Sequence, residues 1–187
     1  MLFENKEKKE FLKSIKSHIS KKDLGRIESM LKKLKVMPKS KQKHSLRVAK
    51  NIASVEQDVD VILAALFHDY IERGGKIEKL PVSNLTKDII FFLTSFDEEY
   101  EGEKNVPLAH IKEVLKKIKN QRLKNKLILI KLADRIDNLK KRKGNINKSY
   151  RKKSEELIKY LLKKYEGDNS SVNKLKQKIT YESENIQ

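Results

Sequence analysis

Apolar residues recur at intervals of three and four along nearly the whole chain, which is the spacing of one face of an α-helix. Phe11, Leu12, Ile15 and Ile19 give the first such face. Only six glycines and three prolines occur among 187 residues, which argues against a fold rich in loops or strands. The pattern therefore predicts an all-α fold.

The spacing and its interruptions predict where successive helices begin and end. Residues 59–71, VDVILAALFHDYI, are apolar nearly all round and predict a buried central helix that ends at Gly74-Gly75. Residues 127–139 predict a second strongly apolar helix, since LILI runs into the helix-favouring LADRIDNLKK. The other predicted helices lie near 11–19, 24–34, 44–53, 85–96, from Pro107 onward, 151–165 and 171–181.

Composition limits the chemistry and the location of the protein. Cysteine is absent, so disulfides, thiolate metal sites and cysteine nucleophiles are excluded. No apolar run is long enough for a membrane span, and the first residues lack a signal-peptide core. We therefore expect a cytoplasmic protein without a membrane partner.

The formal charge of +18 is concentrated at the two ends of the chain. Residues 1–43 carry +9, residues 44–138 carry +1 and residues 139–187 carry +8. Basic flanks of this kind suit an anionic substrate or nucleic acid. They are equally typical of solvated helix faces, which we favour because few aromatic residues and no nucleic-acid motif accompany the lysines.

Ionisable residues interrupt the two most apolar segments. His68 and Asp69 fall within 59–71, and Asp134 falls within 127–139. Burying a carboxylate there is costly unless a cation or a donor compensates it. With His44 at the start of another helix, the set supplies two imidazoles and two carboxylates, a plausible ligand set for a divalent metal.

Each of these residues also has a simpler interpretation. His68 alone fits a hydrogen-bonded core histidine, and Asp134 alone could pair with Lys131 or Arg135. His18 and His110 lie in other contexts and are expected on the surface or on a helix face.

Three motifs in order, HSLRVA, ALFHDYIE and ILIKLADRIDNL, resemble the HD-domain metal-dependent phosphohydrolase superfamily over about residues 40–142. The last motif resembles the hydrolase domain of RelA/SpoT homologues and their small stand-alone relatives. The resemblance implies a single HD-domain helical bundle. We expect one domain over 1–187, with basic helical flanks at 1–39 and 143–187.

The resemblance also implies roles for individual residues. His44, His68, Asp69 and Asp134 match the metal ligands, and the ion is usually manganese. The implied substrate is a guanosine with diphosphates at its 5′ and 3′ positions, from which the 3′-diphosphate is removed.

Further positions match residues near the water and the nucleotide. Glu72 matches an acid that positions or deprotonates the attacking water, and its place four residues after His68 predicts a shared helix face. Asn138 matches a position near the nucleotide and lies four residues after Asp134. Lys131 shares the face of Asp134 and could neutralise phosphate charge or lie at the surface.

Two features depart from the family pattern. The family usually has a second acid where this chain has Arg73, which is taken with Glu72 as a catalytic candidate. Arg73 could clamp a phosphate or simply point to solvent. The replacement could change the substrate, slow hydrolysis or mark a chain that binds without turnover. The family's basic residues before the first histidine lack a clear match among Lys39, Lys41 and Lys43, of which Lys43 is taken as a substrate-binding candidate.

Three functions follow as alternatives. The first is a manganese-dependent pyrophosphohydrolase of guanosine tetra- and pentaphosphate. The second is an HD-type nucleotidase or dNTP phosphohydrolase that uses the same metal site on another nucleotide. The third is a catalytically impaired regulatory or nucleic-acid-binding module, which an intact and costly set of buried ionisable groups argues against.

Overall fold

The computed structural model describes residues 6–95, 100–141 and 148–184. These ranges contain helices, turns and loops without a strand, so the predicted all-α fold class is confirmed. The LILI segment lies inside a helix, as predicted. None of the helices in the described ranges combines the length and the apolar character that crossing a bilayer requires. The helices are α1 (Lys6–Ile15), α2 (Lys21–Leu31), α3 (Lys39–Ala53), α4 (Val59–Leu66), α5 (Asn84–Leu93), α6 (Val106–Lys117), α7 (Gln121–Lys141), α8 (Lys148–Lys164) and α9 (Asn169–Glu184).

The chain divides into two compact units, Met1–Thr94 and Ser95–Gln187. In the first unit, α3 packs against α1 and against α4, and α4 also packs against α5. Every residue of α4 from Val61 to Leu66 is buried, as expected for a central helix. In the second unit, α7 packs against α8 and α9, and α6 packs against α8. The predicted HD region of about 40–142 includes residues of both units.

The predicted helix over 59–71 is wrong beyond Leu66. The backbone leaves the helical conformation at Phe67, whose φ is −112° and ψ 13°. Turns follow, and a short 3-10 helix covers Ile71–Arg73. His68 and Asp69 therefore lie in a turn, and the predicted helix face shared by His68 and Glu72 is not formed.

Two glycines close this segment for different reasons. Gly74 has a φ of 82°, a left-handed conformation that glycine adopts without strain, as the predicted capping role requires. Gly75 lies directly against the ring of Tyr70, and a β-carbon there would overlap that ring. Tyr70 is itself buried, and its ring packs edge-on against Phe67. Burial raises the pKa of the Tyr70 phenol, so the hydroxyl stays neutral at physiological pH.

Gly75→Ala is expected to destabilise the protein by about 1–3 kcal/mol, because the added methyl group forces Tyr70 out of its packed position. Chemical denaturation measures the change in the free energy of unfolding. Gly25→Ala is the matched control: Gly25 lies in α2 with open space around its α-carbon, so alanine should stabilise by about 0.5–1 kcal/mol. Equal effects of the two substitutions would contradict the close approach of Gly75 to Tyr70.

Candidate metal centre

His44 reaches the site from the second turn of α3. Val48 and Ile52 follow on the same face at helical spacing, and all three are buried. The helix packs on both α1 and α4. Only 4% of the His44 surface is exposed. This packing brings Nε2 of His44 to 3.2 Å from Nε2 of His68.

The turn after α4 fixes the orientation and the tautomer of His68. Nδ1 of His68 lies 2.8 Å from the carbonyl oxygen of Ala65. Because a carbonyl oxygen can only accept, Nδ1 carries the proton, and Nε2 of the neutral ring presents a lone pair. Metal-binding histidines have the same arrangement, with the second ring nitrogen donating to a carbonyl or a carboxylate.

Two other electron-pair donors of the first unit lie about 3 Å from Nε2 of His68. Nε2 of His68 lies 3.1 Å from Oδ1 of Asp69 as well as 3.2 Å from Nε2 of His44. A proton on His44 can satisfy only one of these contacts, whereas a divalent cation attracts all three atoms. Donor atoms that share one ion at about 2.1 Å are separated by about 3 Å. The chemistry of these donors and the two separations from Nε2 of His68 therefore fit ligands of a divalent metal.

Lys41 is a site residue that the sequence interpretation did not assign. Its Nζ donates to Oδ2 of Asp69 at 2.9 Å, while Oδ1 faces His68. Lys41 lies three residues before His44 on α3, so helical spacing was the signal that could have identified it. Nζ of Lys43, the predicted substrate-binding lysine, lies 3.9 Å from Oε1 of Glu7, and half of the Lys43 side chain is exposed.

Lys41→Met is expected to lower hydrolysis about tenfold, because the ion pair orients the carboxylate of Asp69, and losing such a supporting contact typically costs 10–100-fold. Initial rates under saturating metal measure the effect. Lys50→Met removes the same charge from another position of α3, where Lys50 pairs with Glu10, and should leave the rate nearly unchanged. A similar loss in both variants would show that general positive charge, and not the contact with Asp69, is responsible.

Glu72 and Arg73 lie in the 3-10 helix that follows the His68-Asp69 turn. Glu72 is partly buried and Arg73 is exposed. The exposure of Arg73 agrees with the interpretation in which it points to solvent. Glu72 stays close to the turn in sequence, but its position comes from the 3-10 helix and not from an extended α4.

Asp134 lies on α7 in the second unit and is 4% exposed. Its Oδ1 accepts a hydrogen bond from Nδ2 of Asn138 at 2.6 Å. Its Oδ2 faces Nζ of Lys131 at 3.6 Å and a guanidinium nitrogen of Arg135 at 3.2 Å. The spacing of three and four residues correctly predicted that Lys131 and Asn138 share the face of Asp134. Both residues orient this carboxylate.

Arg135 contributes a further contact that spacing alone does not predict. Its guanidinium reaches Oδ2 of Asp134, donates to the hydroxyl of Tyr150 at 3.3 Å and lies 5.9 Å from the centre of that ring. The side chain is only 12% exposed. Asp134 is therefore held by two cations and one amide in a largely buried environment.

The remaining histidines lie elsewhere. Of the two settings expected for His110, the surface or a helix face, the structure shows a helix face: it lies on α6 and is 5% exposed. Its Nδ1 lies 3.1 Å from the hydroxyl of Tyr100, which also donates to Glu113. His18 is partly buried, with its Nδ1 3.4 Å from the hydroxyl of Ser17.

Comparison with known protein families identifies the family to which this chain belongs. The family model described as HD domain matches residues 42–139, which is more than half of the chain and includes His44, the His68-Asp69 pair and Asp134. The chain belongs to the HD-domain family. HD-domain proteins are typically metal-dependent phosphohydrolases. Searches of curated proteins and of solved structures gave no match to the chain.

Proposed function

We propose that this HD-domain protein is a metal-dependent pyrophosphohydrolase that removes the 3′-diphosphate from guanosine tetra- and pentaphosphate. The observation that carries the hydrolase proposal is the pair of contacts that Nε2 of His68 makes with Nε2 of His44 and with Oδ1 of Asp69. The narrower choice of substrate is supported by the string LADRIDNL at 132–139, which resembles the hydrolase domain of RelA/SpoT homologues.

The proposed ligands are His44, His68, Asp69 and Asp134, with manganese as the proposed ion. Support comes from the burial of each of His44, His68 and Asp134, because imidazole nitrogens and carboxylate oxygens are atoms that a divalent metal ion accepts as ligands. Two imidazoles and two carboxylates match the preferences of a borderline divalent ion. The hydrogen bond from His68 to Ala65 and the ion pair of Asp69 with Lys41 keep two of these ligands oriented.

The chemistry divides between the ion and the protein. A bound divalent ion supplies a water of lowered pKa and polarises the phosphorus centre. Glu72 accepts the proton of the attacking water or holds that water in line. Lys41 and Lys131 place positive charge beside the carboxylates that bind the ion, and this charge also favours an anionic substrate. Asn138 keeps Asp134 in its orientation.

Arg73 supports a second candidate function with the same mechanism and another nucleotide. An exposed arginine next to Glu72 can pair with a phosphate through two hydrogen bonds, and it replaces the second acid that the alarmone hydrolases usually have. A nucleoside monophosphate, a dNTP or another 3′-phosphorylated nucleotide is the corresponding substrate.

A nucleotide panel separates these candidates. The full chain is incubated with manganese and either guanosine tetraphosphate, guanosine pentaphosphate, a dNTP, a nucleoside monophosphate or a 3′-phosphorylated nucleotide, and products are separated by chromatography. We expect GDP and GTP from the two alarmones, each with release of pyrophosphate. Consumption of another nucleotide alone would support the second candidate. Turnover that continues undiminished in chelator would contradict both.

A further inference from the structure

The second unit contains a cavity of about 230 Å³ with a basic lining. None of the residues that hold Asp134 lines it. Its charged and polar lining consists of Lys116, Gln121, Lys124, Tyr160, Lys164 and Glu166. The cavity thus draws on the end of α6, the start of α7 and the end of α8.

The charge of this lining is strongly positive. Three different helices contribute one lysine each, Lys116, Lys124 and Lys164. Glu166 is the single acidic residue of the lining. Within the described ranges, no hydrogen bond or ion pair involves the ammonium groups of these lysines. Lys116 and Lys164 lie in the last turns of their helices, where the helix dipole favours a cation. Their positive charge is therefore available to a ligand.

Hydrogen bonds fix the wall of the cavity. Oδ1 of Asn125 accepts from Nε2 of Gln121 at 3.0 Å and from the backbone N–H of Glu166 at 3.2 Å. This single amide oxygen ties the first turn of α7 to the loop after α8. Gly167 leaves no room for a side chain between Tyr165 and Asn125, so the loop lies directly on α7. The cavity is consequently formed before any ligand arrives.

Two further features suit an anion. The 21-residue helix α7 begins at Gln121, so the positive end of its dipole lies at the cavity. Burial raises the pKa of the Tyr160 phenol, which keeps its hydroxyl protonated and able to donate a hydrogen bond. Nζ of Lys112 lies 5.7 Å from the centre of the Tyr160 ring and adds positive charge beside it.

We propose that this cavity binds a small phosphate-bearing anion, for which pyrophosphate is the simplest probe. Sites for drug-sized ligands have volumes of roughly 300–1,000 Å³, so the cavity is too small for most whole nucleotides and suits one or two phosphate groups. Three lysines supply the charge-assisted hydrogen bonds that phosphate oxygens accept, and the N-terminal end of the α7 dipole adds positive potential. This site does not depend on the proposed hydrolase activity.

Calorimetric titration of the full chain with pyrophosphate tests the proposal. Chelator is present throughout, so that no metal ion can hold the anion elsewhere. We expect saturable binding that is at least about tenfold weaker in the Lys124→Gln, Lys164→Gln double variant, since tenfold corresponds to only about 1.4 kcal/mol. The control double variant, Lys159→Gln with Lys163→Gln, loses the same charge from exposed positions of α8 outside the cavity and should bind within about twofold of the unchanged protein.

A spectrum localises the binding. In ¹H–¹⁵N correlation spectra, pyrophosphate should shift the backbone amides of Gln121, Asn125 and Glu166 in the unchanged protein and not in the Lys124→Gln, Lys164→Gln variant. The absence of saturable binding would overturn the proposal. Equal weakening in both double variants would also overturn it, because general positive charge would then explain the binding. Tighter, steeply salt-dependent binding of an oligonucleotide that both variants weaken equally would replace it with a nucleic-acid surface.

Discussion

His68→Ala is expected to abolish metal-dependent hydrolysis, with a loss of at least about a thousandfold. A bound ion contributes several kcal/mol of transition-state stabilisation, and each 1.36 kcal/mol corresponds to a factor of ten in rate. His68 is the residue whose Nε2 faces both His44 and Asp69, so its removal leaves those two donors without their common neighbour. Initial rates at saturating metal, combined with circular dichroism of the variant, measure the effect and verify that the helices remain.

His18→Ala is the control for this prediction. It removes an imidazole whose hydrogen bond within the described structure is to the adjacent Ser17, so activity should remain close to that of the unchanged protein. A His68→Ala protein that is folded and retains more than a few per cent of the rate would show that the turn after α4 does not bind the catalytic metal.

Asp134→Asn is expected to reduce both activity and stability. The substitution keeps the shape of the side chain but removes the charge that faces Lys131 and Arg135, each of which is only 12% exposed. Breaking a largely buried ion pair by removing one partner typically costs 3–5 kcal/mol, and we expect roughly 3 kcal/mol here because an amide retains part of the hydrogen bonding. Urea denaturation of the metal-free protein measures the change in the free energy of unfolding.

Asp88→Asn supplies the matched comparison, because Asp88 is exposed on α5 and should change stability by less than about 0.5 kcal/mol. If Asp134→Asn instead stabilised the metal-free protein, the carboxylate would be a source of electrostatic strain, and the account of its two cation partners would be wrong.

Helical periodicity predicted most of the fold because each helix must bury one apolar face. The periodicity failed at the His68-Asp69 turn, where the apolar side chains within residues 67–71 continue the pattern of α4. The backbone departs from the helix at Phe67, and the ring of His68 hydrogen-bonds to the carbonyl of Ala65. A side chain that hydrogen-bonds to the backbone three residues earlier competes locally with the helix, and the spacing of apolar residues does not report that competition.

In the candidate site, too, helical spacing predicted some contacts and missed others. The spacing of Asn138 and Lys131 from Asp134 was sufficient to predict their contacts, because residues three or four apart on a helix are neighbours. Arg135 lies next to Asp134 in sequence and points about 100° away from it, so its contact depends on a long side chain bending back. The burial of His110 on α6 was not predicted, because one polar residue on an amphipathic helix gives no signal of burial.

Measuring the metal content of the protein tests directly whether His44 and His68 bind a metal ion. The full chain is treated with chelator, reloaded with manganese, passed over a desalting column and measured by elemental analysis alongside His44→Ala and His68→Ala. We expect one manganese ion per chain in the unchanged protein and almost none in either folded variant. An unchanged protein that retains no ion, or variants that retain as much as it does, would contradict a metal centre built on His44 and His68.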